Sequence, residues 1–139
     1  MRPLTPLRAG KVDSRGVLVG VLLEIGNDGI TFVSLDGFRM AVVKAALNQP
    51  VEEPSQIIIS ARILNEIVKL ITSADFEGEE IEIGFNEIKR NARIVSQNTR
   101  ITISLINGKY LEYANLLPQQ FQTEAVISRD AFRHSVERA

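Results

Sequence analysis

An α+β fold, with antiparallel sheets outside and two helices packed on the inner face, is the class this sequence predicts. Three observations predict it. Two stretches, 17–45 and 80–106, each read as three successive strands. Two others, 57–71 and 125–139, align without a gap as strand-then-helix units: Ser60 matches Ser128, Leu64 matches Phe132 and Val68 matches Val136. The order is therefore βββ, βα, βββ, βα, an internal repeat whose units must cover one another's apolar faces.

The elements follow in order. Residues 1–12 carry Pro3 and Pro6 and no periodicity, and read as an irregular leader. VLVGVLLEI, 17–25, is a continuous apolar run suited to a buried strand, with Gly20 a candidate bulge. Gly26-Asn27-Asp28-Gly29 is a turn, and Gly29 to Leu47 forms a hairpin about Asp36-Gly37. This second turn sets Leu35, Phe38 and Met40 around a tight bend with the Arg39 guanidinium among them. After a loop with Pro50 and Pro54, IIIS is strand-like, Ser60 is a good N-cap and a helix runs from Ala61 to about Thr72. Leu64, Ile67, Val68 and Ile71 form its buried stripe, and Arg62, Asn65 and Lys69 share the other face. EIEIGFN, KRNARIVS and TRITISLI alternate apolar and polar residues, as antiparallel strands with one wet face do. Arg90 and Arg93 fall on different faces of one of them. Tyr110 and Tyr113 flank the final loop as core-edge aromatics, and AVISRDAFRHSVERA closes the repeat as a short strand and a helix.

Composition narrows the function. With 139 residues, 45% hydrophobic and 24% charged, the chain is one globular domain with a real core. No apolar run is long enough to span a bilayer, and the N-terminus has no secretory h-region. The absence of cysteine excludes disulfides and thiolate metal sites and makes a cytoplasmic location the default. Sixteen basic residues against seventeen acidic ones give a net charge of −1, so any nucleic-acid contact is confined to one face. Catalysis finds no support. His134 is the only histidine, there is no partner for a nucleophilic relay, and no phosphate loop is present. Asp75, Glu77, Glu79, Glu80 and Glu82 read as a solvated acidic turn rather than a cation site. No cofactor and no metal are expected. On the two helices, Arg62 and Lys69, with Asn65 between them, and Arg129 and Arg133 make either a basic strip for phosphates or an ordinary solvated face balanced by Glu66 and Glu137.

SRGVLVGVLLE, SLDGFRMAVV, IIISARILNEIVKLI and NGKYLEYANLLP, in that order, resemble the middle domain of the bacterial DNA polymerase III β subunit, the sliding-clamp family. The resemblance covers 14–139. Its two specific motifs are the TDGHR-like turn, here Leu35-Asp36-Gly37-Phe38-Arg39, and the GxxPDYxxxLP-like segment, here Gly108 to Pro118.

The resemblance implies a domain built from two βαβββ halves, the first lacking its leading βα unit, in a non-enzymatic processivity factor. The family forms a ring-shaped, head-to-tail homodimer around duplex DNA, which it contacts without sequence preference. It binds DNA polymerase III and other replication and repair proteins through short apolar peptides. The groove positions carried over are Leu18, Leu35, Gly37, Phe38, Arg39, Met40, Leu111, Asn115 and Leu116. Arg15, Arg62 and Lys69 match DNA-facing basic residues, and Asn65, Arg129 and Arg133 join that face by helix position. Leu35 and Phe38 stand where threonine and histidine are common, which makes the groove more apolar. The domain proper is expected at 13–124, with 125–139 corresponding to the start of the next clamp domain or folding back into the place of the missing βα unit. A free-standing interaction module that keeps the groove and encircles nothing is the alternative reading.

Overall fold

The computed structural model describes residues 19–72, 80–86, 88, 90–96 and 99–139. Its strands are β1 (Gly20–Gly26), β2 (Gly29–Leu35), β3 (Met40–Ala45), β4 (Ser55–Ser60), β5 (Glu82–Phe85), β6 (Asn91–Ser96) and β7 (Thr99–Ser104). Helix α1 (Ala61–Ile71) follows β4, a 3-10 turn covers Tyr113–Leu116, and α2 (Arg129–Arg138) lies near the end. All pairings are antiparallel: one sheet has the order β3-β2-β1-β4 and the other β5-β6-β7. The α+β class and the two sets of three strands stand as the sequence predicts.

Strand pleating decides what each face does. Successive side chains point to opposite faces, so Val21, Leu23 and Ile25 of β1 face one way and Leu22 and Glu24 the other. The first set joins Ile57 and Ile59 of β4, Ile67 of α1, and Ala92, Ile94 and Ile103 of the second sheet in one buried core. Both sheets and α1 thus share this core. The second set forms a smaller cluster on the opposite face, where Leu22, Val33, Ile58 and Tyr110 are buried with Met40, Ile106 and Tyr113 packed around them. A bond from the Ile106 N–H to the Ile58 carbonyl, 2.9 Å, ties the chain leaving β7 to β4.

Two glycines are set by geometry. Gly29 has φ +136°, and a Cβ there would collide with the Ala45 carbonyl. Gly20 is no bulge: it pairs in regular register with Ser60. A Cβ there would stand 2.5 Å from Cγ2 of Ile58, so close approach of β1 to β4 explains the glycine.

Other expectations change in detail. The helix begins after Ser60, but no side-chain bond from Ser60 caps it, and its stripe is shifted: Ala61 and Ile67 are buried, with Ile63, Leu64 and Ile71 packed alongside. Val17 and Leu18, the expected start of the first strand, lie outside the described residues. Arg90 precedes β6 rather than lying on it. The largest departure is at 125–139. The helix forms, with Ser128 Oγ accepting from the Ala131 N–H at 3.5 Å, but no strand precedes it. Every residue from Glu112 onward is exposed except Tyr113. Helix α2 is thus exposed along its whole length. A strand needs an edge to pair with, and local pattern alone does not supply one.

Candidate docking groove

The turn between β2 and β3 is locked from within. The Asp36 carboxylate accepts from the backbone N–H groups of Phe38 and Arg39, both at 3.1 Å, and from Arg39 Nε at 2.6 Å. The Asp36 N–H in turn donates to the Arg39 carbonyl at 3.2 Å. The side-chain bond from Arg39, followed by the Phe38 N–H, holds the Asp36 carboxyl below the usual carboxylate range. Gly37 supplies φ +90°, with open space where a Cβ would stand. The result is a rigid bend that holds the Phe38 ring wholly in solvent.

Beside the turn, the second cluster makes a floor. Leu35 and Met40 are register partners at the mouth of the hairpin. Leu35 is buried, and Met40 packs on the cluster.

The segment 110–117 crosses this sheet face as a strap pinned by its two tyrosines. The Tyr110 ring is buried on Leu22, Val33 and Ile58, with its hydroxyl 3.4 Å from the carbonyls of Gly20 and Val33. Burial pushes its phenol pKa up. The Tyr113 hydroxyl donates to Glu24 Oε2 at 2.5 Å, which, with some burial, pushes that phenol up to about 12. Glu24 is held from the other side by Gln56 at 2.7 Å. Between these anchors lies Leu111, half-buried, and beyond them Asn115 and Leu116 project to solvent from the 3-10 turn. A Lys109–Glu112 ion pair at 2.8 Å bridges the start of the strap.

The strap lies on the sheet face that carries the second cluster, and the turn closes the hairpin whose strands supply Val33 and Met40 to it. Of the predicted groove residues, Met40 packs on that cluster beside its register partner Leu35, Gly37, Phe38 and Arg39 belong to the turn, and Leu111, Asn115 and Leu116 to the strap. Leu18 and Arg15 lie outside the described residues. Sequence reasoning missed Glu24, hidden in an apolar run, whose carboxylate anchors Tyr113. It also missed a recess of about 560 Å³ at the polar end of the same face, lined by Glu24, Asp28, Lys44, Gln56 and Tyr113 among others.

The basic positions are only partly assembled. Arg62 and Lys69 are exposed on α1, with Asn65 half-buried between them. Lys69 pairs with Glu66 at 2.8 Å. On α2, Arg129 pairs with Asp130 at 3.0 Å and Arg133 with Glu137 at 3.6 Å. Such exposed pairs are weak and leave the cations available to other anions. The packing of α2 against α1 that would join the two sets into one strip is not formed. Of the acidic cluster, Asp75, Glu77 and Glu79 lie outside the described residues, while Glu80 and Glu82 are exposed. Among the described residues no group of three His, Cys, Asp or Glu could hold a metal. No helix among them is long and apolar enough to cross a membrane.

Comparison with known proteins identifies the family and the fold. Residues 5–112 match the family model described as the DNA polymerase III beta subunit, central domain. The beta sliding clamp of Streptomyces coelicolor is 30% identical over 95% of this chain and 35% of its own length. That of Haemophilus influenzae is 33% identical over 77% of this chain and 28% of its own. The crystal structure of the DNA polymerase III subunit beta from Pseudomonas aeruginosa superimposes with a TM-score of 0.80 and 25% identity, covering 94% of this chain and 35% of that one. The chain spans about a third of the length of the curated relatives it matches. A family match over most of the chain, on a fold with the same antiparallel sheets, leads to one conclusion: this chain belongs to the DNA polymerase III beta subunit family and carries its central domain.

Proposed function

We propose that this chain serves as the peptide-docking domain of a DNA polymerase processivity clamp, a non-enzymatic role without cofactor. Short apolar peptide segments of DNA polymerase III and of other replication and repair proteins are its partners. They lie across the floor of Leu35 and Met40, between Phe38 at the turn and Leu111, Asn115 and Leu116 on the strap. The observation that carries this reading is the Asp36-locked turn, which holds Phe38 in full solvent exposure beside an apolar floor. An exposed aromatic at a rigid bend costs little ordering entropy when a partner covers it. Arg39, whose guanidinium is held over the turn, is placed to meet a polar or acidic peptide residue at the groove edge.

In a full ring-shaped homodimer, α1 would present Arg62, Asn65 and Lys69 to duplex DNA, with Arg15 contributing near the groove. Such contacts go to phosphates and are independent of sequence and sensitive to salt. A cytoplasmic location follows from that role. Residues 125–139 would belong to the start of the following domain.

The test is fluorescence polarisation of a labelled short peptide with two or three consecutive apolar residues, titrated with this chain. Saturable binding that Phe38→Asp weakens at least tenfold supports the reading. Equal binding by the two proteins contradicts it.

A further inference from the structure

Glu24 is the one charged residue of β1, and the pleat decides where it stands. It shares a face with Leu22, one step along the strand from the cluster beneath Tyr110. Its cross-strand neighbours are Thr31 and Gln56. The side chain is half-buried and both oxygens are engaged. Oε1 accepts from Gln56 Nε2 at 2.7 Å, and Oε2 accepts from the Tyr113 hydroxyl at 2.5 Å. Gln56 thus steadies the carboxylate on the sheet while its second oxygen holds the strap. A phenol donating to a carboxylate makes a charge-assisted bond, stronger than one between neutral groups.

The strap needs such a hold at its far end. Tyr113 opens the 3-10 turn that carries Asn115 and Leu116. Inside that turn the Asn115 N–H donates to the Glu112 carbonyl at 3.1 Å, and the Leu117 N–H to the Ala114 carbonyl at 3.3 Å. A single 3-10 turn has poor hydrogen-bond geometry and does not fix its own direction. Among the described residues, Tyr113 is the side chain of this turn that packs on the sheet. Tyr110 holds the near end of the strap by its buried ring, and the far end is set by Tyr113 and its bond to Glu24.

We infer that Glu24 is a positioning residue for peptide docking: through Tyr113 it fixes where Asn115 and Leu116 stand on the sheet. It does not touch the peptide, since Gln56 and Tyr113 occupy both of its oxygens. Loss of the carboxylate frees the 3-10 turn, and the peptide must then order the turn as it binds, which costs affinity. This role rests on the groove reading above and adds to it a residue 89 positions from Tyr113 in the chain.

The test uses the full 139-residue chain and two readouts: amide order parameters by NMR relaxation without peptide, and affinity for the labelled apolar peptide. Tyr113→Phe removes one hydroxyl and keeps the ring, and Glu24→Ala removes the acceptor. Each is expected to lower the order parameters of Ala114 to Leu117, leave those of β1 and β4 unchanged, and weaken peptide binding by about fivefold or more. The double variant should bind no more weakly than the weaker single one, because both act through the same bond. Glu24→Gln keeps an acceptor oxygen and should fall between the parent and Glu24→Ala, a rescue that loss of stability alone would not give. An undisturbed strap in both single variants overturns the role, as does unchanged affinity in variants of a parent that binds. Additive losses overturn it too, by showing that Glu24 meets the peptide itself. A parent that binds no peptide refutes the groove reading, and this role with it, whatever the order parameters show.

Discussion

Tyr110 separates the two things a strap anchor could do, because its ring and its hydroxyl make very different contacts. The ring is buried on Leu22, Val33 and Ile58 and fills the second cluster. The hydroxyl stands 3.4 Å from two carbonyls, at the long limit for an O–H···O bond. Tyr110→Phe keeps the ring and loses only these long bonds, so it should cost less than about 1 kcal/mol. Tyr110→Ala empties the cluster and should cost about 3 kcal/mol, near the low end for aromatic truncation because the site lies at a core edge. For a domain of this size, that corresponds to a fall in melting temperature of about 10 °C. Urea unfolding of the two variants, read by circular dichroism, measures both values. The Ala variant should also bind a groove peptide more weakly, since Leu111, Asn115 and Leu116 lose their anchor. Equal destabilisation by Phe and Ala would refute the assignment of the anchor to the ring, and so would an Ala variant as stable as the parent.

Other outcomes follow from the same contacts. Gly29→Ala forces a side chain into φ +136° and against the Ala45 carbonyl, and should destabilise by more than about 1 kcal/mol in urea unfolding, whereas Gly37→Ala meets only the φ penalty. At high pH the Tyr113 phenol, raised to about 12 by Glu24, retains its proton in the folded state after the unfolded chain has released it near pH 10. Stability should therefore hold below about pH 10 and fall between about pH 10 and 12, and Tyr113→Phe should flatten that fall in a pH series of denaturation midpoints. Arg62→Glu combined with Lys69→Glu should leave the melting temperature within about 1 °C, since both side chains are exposed. In a full-length clamp carrying this domain, the same pair should lower the salt dependence of DNA retention by up to about two units of slope.

The hairpin and α1 were legible because their signals are local. Asp36-Gly37 between β-branched runs specifies a tight turn, and the apolar spacing along 61–71 specifies a helix. The turn that the proposed groove uses was legible for the same reason. The strap was harder. That Tyr110 would be buried under a sheet face, or that Glu24 in an apolar run would face a tyrosine, depends on residues about ninety positions apart in the chain. Residues 125–127 failed in the opposite sense, since their strand-like composition needs an edge in three dimensions. The resemblance at SLDGFRM and NGKYLEYANLLP singled out the turn and the strap that the proposed groove uses, and the second cluster lies under the strap.

The central claim is that the turn and the strap form one peptide-binding surface, and a two-dimensional amide NMR titration tests it most directly. With a short apolar peptide added to the labelled chain, shifts should concentrate at Leu35, Gly37, Phe38, Arg39, Met40, Leu111, Asn115 and Leu116, with α1 unmoved. Shifts confined to α1 or α2, or none at saturating peptide, would contradict it.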